Sequence, residues 1–217
     1  MYLQKDDYDR AIAEFDQAIQ LDPNDAQAYY HRGILYFGKS NYDSAIADFD
    51  QAIRLDPNNA LAYYHRGFVY LHKEDYERAI VDFDQAIQLD PNNAQAYFHR
   101  GFVYLHKCDC DRGIADFDHT IRLDPNDALA YYGRGTLYFG KSNYDSAIAD
   151  FDQAIRLDPN NAQMYYDRGT VYSHKGDYDR AIADYDKAIQ LDPNNVVAKQ
   201  NMEKLKQILN GDCGVEV

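Results

Sequence analysis

Tyr29-Tyr30-His31-Arg32-Gly33 is followed 34 residues later by Tyr63-Tyr64-His65-Arg66-Gly67. The same unit returns as Tyr97-Phe98-His99-Arg100-Gly101, again around Tyr131 and again around Tyr165. A fixed period of this length marks a stack of similar units, each touching mainly its neighbours. Counted from the alanine after the loop, complete units span 26–59, 60–93, 94–127, 128–161 and 162–195.

Each unit closes on Leu-Asp-Pro-Asn followed by Asn or Asp, and all six prolines fall in this slot. Proline stops a helix and disfavours helix at the residue before it, so the slot reads as a loop whose Asn and Asp cap the next helix. Between loops the first unit predicts helix A over 27–39 and helix B over 42–55, with a turn at Ser40-Asn41 and Asn41 as N-cap. Helix A carries a stripe at Tyr29, Arg32, Gly33 and Tyr36; helix B carries Ala45, Ile46, Phe49, Ala52 and Ile53. Both have i, i+3, i+4, i+7 spacing. Gly33, Ala45 and Ala52 let the helices approach, and the aromatic rings fill the remaining space.

Tyr29, Gly33, Tyr36, Ala45, Phe49, Ala52 and Pro57 together resemble the tetratricopeptide repeat signature, with tyrosine in the usual tryptophan slot. The resemblance covers nearly the whole chain. It implies an all-α fold, a right-handed superhelical α-solenoid of antiparallel helix pairs in which helix A lines a concave groove. It also implies a role in holding other proteins, usually through peptides lying in that groove. The family's carboxylate clamp for chaperone tails is absent: Tyr30, Ile34, His65, Gln95 and His99 stand where its lysine, asparagine and arginine residues belong.

The two ends depart from the pattern. Residues 1–25 read as a partial repeat, mainly a helix B built on Ala11, Phe15 and Ala18; either the array continues beyond it or something covers the apolar face of residues 8–20. Residues 196–210 read as an amphipathic capping helix, with Gly211 as its stop and 211–217 as a flexible tail. No signal peptide is expected, because Met1 runs directly into a repeat.

Composition narrows the function classes. A net charge of −14, with no basic stripe, disfavours nucleic acid and adhesion to anionic membranes. The acids sit at fixed repeat positions, as a solubilising outer face would place them. No apolar run nears the ~20 residues that span a bilayer. Three cysteines, Cys108, Cys110 and Cys213, make no disulfide framework and lean towards a reducing compartment, hence a cytoplasmic location. His106-Lys107-Cys108-Asp109-Cys110 offers three metal ligands where structural zinc wants four, and Cys110 stands in a core slot. Neither a metal nor a cofactor is expected. Phosphate loops, nucleophile elbows and metalloprotease helices are missing, so the sequence reads as no enzyme.

Arg32, Arg66, Arg100, Arg134 and Arg168 lie on the packing stripe, where a charge must be paired. Asp48, Asp82, Asp116, Asp150 and Asp184 have fixed phase on helix B, which predicts a ladder of Arg–Asp pairs within or between units. The unit at 94–127 is degenerate: Cys110 replaces a tyrosine, and Gly113 and Thr120 replace alanines.

Units 26–59 and 128–161 differ at three positions alone: Gln27 against Leu129, His31 against Gly133, and Ile34 against Thr136. These second, sixth and ninth slots share a helix A stripe with Tyr30, expected to be distinct from the stripe packed on helix B and to face the groove. Drift would also have touched the exposed face of helix B, which is unchanged between the two units.

The candidate peptide-binding residues are therefore Gln27, Tyr30, His31 and Ile34; Leu61, Tyr64, His65, Phe68 and His72; Phe98, His99, Phe102 and His106; and Leu129, Tyr132, Thr136, Tyr166, Asp167 and Thr170. His65 and His72 lie about 10.5 Å apart along a helix, too far to share a metal. Aromatic and imidazole groups suit a peptide. If the histidines titrate near ~6.5, acidic peptides should bind better at mildly low pH. The leading expectation is a non-catalytic scaffold binding a protein or peptide. The alternative is self-assembly, with a homo-oligomer formed through the partial N-terminal repeat.

Overall fold

The structure is a computed structural model and describes residues 5–210. The expected helix stop at Gly211 and the tail at 211–217 lie outside the described residues, as do residues 1–4. Among the described residues there are twelve helices and no strand. α1 (Lys5–Leu21) comes first. Five A/B pairs follow: α2 (Ala26–Gly38) with α3 (Tyr42–Leu55), α4 (Ala60–His72) with α5 (Tyr76–Leu89), α6 (Ala94–His106) with α7 (Cys110–Leu123), α8 (Ala128–Gly140) with α9 (Tyr144–Leu157), and α10 (Ala162–His174) with α11 (Tyr178–Leu191). α12 (Val196–Leu209) closes the series. The chain divides into two compact units, Met1–Val103 and Tyr104–Val217, with the division inside α6.

The caps explain the helix boundaries. Asp25 accepts from the backbone N–H groups of Gln27 and Ala28 at 2.9 and 3.1 Å, and Asn59 accepts from Ala62 N–H at 3.1 Å. Within a pair, Asn41 accepts from Ser44 N–H at 3.3 Å and starts α3. The residue before that cap is left-handed: φ is +58° at Ser40, Glu74 and Ser142, +56° at Cys108, and +79° at Gly176. That conformation costs a side-chain-bearing residue roughly 1–2 kcal/mol, which glycine at 176 avoids.

In the first unit, α2 and α3 close on Ala45, Phe49 and Ala52, all fully buried, with Tyr30, Ala62 and Val69 completing the core. Gly33 is required there: a Cβ would stand 2.9 Å from the Phe49 ring. The second unit repeats this with Ala147, Phe151 and Val171, and with Tyr172, Ala181 and Tyr185 closed by Leu205 of α12.

The predicted arginine ladder is present and reaches in both directions. Arg32 donates from Nε and Nη2 to both carboxylate oxygens of Asp48 at 2.8 and 2.7 Å, and from Nη1 to Asp16 on α1 at 2.6 Å. Arg66 likewise grips Asp82 and Asp50, Arg134 grips Asp150 and Asp118, and Arg168 grips Asp184 and Asp152. The two aspartates flanking Phe49 thus have separate tasks. Asp48 holds its own pair together, and Asp50 holds the next. Bidentate pairing keeps both charges, and the Arg32 guanidinium is raised above its ordinary pKa, first by the Asp48 hydrogen bond. An outer ladder joins Lys39 to Asp9, Lys73 to Asp43, Lys141 to Asp111 and Lys175 to Asp145. Exposed pairs of this kind contribute little.

Candidate functional site

In the first unit, α2 packs beside α4, and their shared face carries a row of aromatic and imidazole rings. Tyr64 lies 6.3 Å from Phe68, nearly parallel to it. His99 stands edge-on to Phe68 at 4.7 Å and to Tyr64 at 5.7 Å. His72 stands edge-on to Phe68 at 4.7 Å and meets Phe37 at 5.2 Å. Tyr64, His65, Phe68, Phe98 and His99 are half-buried; His72, Phe102 and His106 are exposed, Phe102 at 39%. Contacts of this kind add ~0.5–1.5 kcal/mol per pair beyond area burial. They hold the rings in place and leave their rims to solvent.

The variable slots differ in surroundings. At the second slot, Gln27, Leu61 and Leu129 are exposed, the leucines at 50% and 53%. At the ninth, Ile34 is half-buried against the first core, and the hydroxyls of Thr136 and Thr170 donate to the carbonyls of Tyr132 and Tyr166 at 2.9 and 3.0 Å. The fifth and sixth slots correct the expectation of a stripe apart from helix packing. Tyr30 is buried, 6.0 Å from Phe49 of its own pair; Tyr64, Tyr132 and Tyr166 sit similarly on Phe83, Phe151 and Tyr185. The sixth slot lies on the helix B ring of the preceding pair: His31 on Phe15, His65 on Phe49, His99 on Phe83. Where Gly133 takes that slot, a Cβ would lie 2.5 Å from Phe117. Which residue stands there is therefore a packing matter as well as a surface one. Helical periodicity identifies a face without revealing what covers it.

A second correction concerns protonation. Burial, reinforced by nearby His99, pushes the His65 imidazole down to about 4. It stays neutral between about pH 4 and 6.5, where an imidazole of ordinary pKa would carry a charge, so His65 adds no attraction for an acidic peptide at mildly low pH.

In the second unit the face is more polar. Asp167 accepts from the Tyr132 hydroxyl at 2.6 Å and from the Gln163 amide at 2.9 Å. Burial pushes the Asp167 carboxyl up, opposed by these two hydrogen bonds, and burial with the Asp167 charge raises the Tyr132 phenol. Cys108 is exposed and Cys110 half-buried, both free. Among the described residues, no group of three or more His, Cys, Asp or Glu side chains is placed to hold a metal ion, and no helix is long and apolar enough to cross a membrane.

Helix pairs closed by an internal arginine ladder, with side chains presented on a face of helix A, define a helical-repeat scaffold. The tetratricopeptide repeat family profile matches residues 2–60, 31–94, 103–159 and 132–196, and a second tetratricopeptide repeat profile matches residues 83–109. The chain belongs to the tetratricopeptide repeat family. Members of this family are generally non-catalytic scaffolds for protein–protein interaction. Among solved structures, it is similar to YrrB, described as a tetratricopeptide repeat protein with an unusual peptide-binding site: 27% identity over 87% of this chain and 97% of that one, TM-score 0.78. It is also similar to a MamA structure, with 28% identity over 73% and 97% of the two chains and TM-score 0.68. MamA from Desulfovibrio magneticus, 23% identical over 79% and 97% with TM-score 0.75, shares the fold. A search of curated proteins returned no match.

Proposed function

We propose that this protein is a non-catalytic scaffold that holds a peptide or protein segment against the face carried by α2, α4 and α6. One observation carries the reading. Tyr64, Phe68 and His99 form a braced cluster with half-buried rims, and Phe102 stands exposed on the same slot series. Rigid amphipathic rings supply contact area at low entropic cost. The peptide-binding site described for YrrB supports a peptide as the ligand.

A peptide array probed with the purified chain tests this. Peptides retained by the parent and lost by a Phe68→Ala/Phe102→Ala variant of unchanged helical content would support it. Equal retention by both would overturn it. Light scattering on the same samples reads self-association separately.

A further inference from the structure

Asp167 differs from the other carboxylates of the second unit in what holds it. Buried Asp150 and Asp184 each face an arginine. Asp118 and Asp152 are gripped by Arg134 and Arg168. Asp127 caps α8 through the backbone N–H groups of Leu129 and Ala130. Asp167 is half-buried within α10 and meets no cation among the described residues; the neutral side chains of Tyr132 and Gln163 hold it. A carboxylate withdrawn from water without a counter-charge is costly. It stands at the sixth slot of helix A, filled by His31, His65, His99 and Gly133 in the preceding units. Packing does not call for an acid there, since histidine and glycine serve elsewhere.

The two hydrogen bonds leave one oxygen open. Tyr132 Oη and Gln163 Nε2 both donate to Asp167 Oδ2, at 2.6 and 2.9 Å, and Oδ1 accepts from no described residue. Among the described residues that are not exposed, no side-chain oxygen or nitrogen without a hydrogen-bond partner is sealed from solvent. Oδ1 is therefore reachable from outside. α8 and α10 pack against each other within the second unit. On α8, Leu129 lies one turn before Tyr132 and is 53% exposed, and Gly133 adds no side chain next to the tyrosine. The face thus offers one anionic oxygen beside an aliphatic surface.

We propose that the α8–α10 face binds a lysine side chain of a basic peptide, the ammonium donating to Asp167 Oδ1 and the aliphatic stem lying on Leu129. One open oxygen takes one N–H donor, which suits an ammonium. A guanidinium in its favoured fork needs both oxygens, as Arg168 takes both oxygens of Asp184 at 2.8 and 2.7 Å. A divalent cation calls for several oxygen ligands, and no described cluster of three or more acids or other ligands supplies them. A lysine stem covers apolar surface while its head stays at the polar rim. The net charge of −14 draws cationic partners towards the chain, and the contacts at Asp167 select among them. The inference rests on the scaffold reading only in taking a peptide as the source of the lysine. The Phe68→Ala/Phe102→Ala variant leaves α8 and α10 untouched, so the two readings fail separately.

The experiment is an NMR titration of the full ¹⁵N-labelled chain at physiological ionic strength. The probes are acetylated, amidated alanine-based peptides that differ at one central residue, which is lysine, arginine or norleucine, with spermidine as the free-amine arm. The expected result is saturable shifts of the Gln163 side-chain amide and the Asp167 backbone amide with the lysine peptide, and weaker binding of the arginine peptide. Affinity should fall about tenfold or more for norleucine and for Asp167→Asn, which keeps an acceptor for Tyr132 and Gln163. Asp167→His, which restores the residue of three other units and so keeps the fold, should lose the site in the same way. Asp186→Asn, which removes an exposed charge from α11, should change affinity less than about twofold. Equal binding of the norleucine peptide, indifference to Asp167→Asn, or arginine binding as tightly as lysine would each overturn the proposal. So would spermidine binding as tightly as the lysine peptide, or an absence of shifts with every probe.

Discussion

The imidazole of His65 lies stacked on the ring of Phe49, with centroids 6.1 Å apart and planes 18° from parallel. The two residues belong to successive helix pairs, so one variable slot of helix A is also the joint between pairs. This joint titrates. Phe49 on α3, Tyr30 on α2 and Tyr64 on α4 surround His65, and His99 on α6 is the charge partner that adds to its burial. Its folded pKa of about 4 lies below the ordinary 6.5, so between those values the unfolded chain binds more protons. Stability contributed by the neutral ring is present above pH 6.5 and is lost as pH falls towards 4. The contribution is at most roughly 3 kcal/mol. Urea titrations at pH 7.0 and 4.5 should show the parent losing more stability than His65→Leu, by an amount on this scale; parallel losses would remove His65 as the cause.

The arginine ladder yields the second prediction. Asp82 is buried, and its carboxyl is pushed up by burial against the opposing pull of Arg66. Arg66→Met strands that charge and should cost about 3–5 kcal/mol at pH 7. Because the stranded carboxyl escapes its penalty by taking a proton, the loss should shrink as pH approaches 4. Arg66→Met/Asp82→Leu, an apolar exchange of both partners, should recover most of the loss. Denaturant midpoints for the three chains decide it; a double variant as weak as the single one would contradict the account.

Much of this architecture was legible because it is local. The Asp-Pro-Asn loop, the cap at Asn41 and the 34-residue period depend on neighbours in sequence. The pairing of Arg32 with Asp48 followed from a charge on a packing stripe. The second partner, Asp16, was only half legible, because the register between helix pairs is not written in the spacing within one pair. The candidate surface was read less well. Helical spacing puts Tyr30 and His65 on a stripe of their own, whereas each rests on Phe49, one from the same pair and one from the next. A pocket of about 290 Å³ between α10, α11 and α12, lined by Ser173 and Lys204 among others, exists only once α12 docks. Its sequence trace was two departures from the repeat, phenylalanine to Tyr185 and leucine or phenylalanine to Ser173.

Two glycines at the same slot should respond differently to alanine. At Gly38 a Cβ would meet the Tyr8 ring at 2.7 Å; at Gly140 the nearest neighbour would be Cys110 Sγ at 3.9 Å. Gly140→Ala should therefore raise stability by up to ~1 kcal/mol through helix propensity and lower chain entropy, while Gly38→Ala should gain nothing. Cys110→Tyr, which restores the ring found at Tyr8 and Tyr42, should stabilise the second unit further by filling the space beside Gly140. Thermal melts of the three variants test this, and a destabilised Gly140→Ala would show that the space is not open.

The same slot falls in the unit at 94–127, which is expected to be the least stable of the array. α7 begins at Cys110 in place of tyrosine and buries Gly113 where α3 has Ala45. It also buries Thr120, whose hydroxyl donates back to the Asp116 carbonyl at 3.1 Å. Glycine within a helix costs about 1 kcal/mol relative to alanine, and a threonine back-bond weakens a helix slightly. In a repeat array, local stability is close to the sum of unit and interface terms, so these deficits should remain local. Native-state hydrogen exchange should find the amides of α7 opening at lower free energy than those of α3, α5 and α9. Gly113→Ala with Thr120→Ala should raise α7 towards its neighbours by roughly 1–2 kcal/mol. Uniform protection across these four helices in the parent chain would show that the unit at 94–127 is not the weak one.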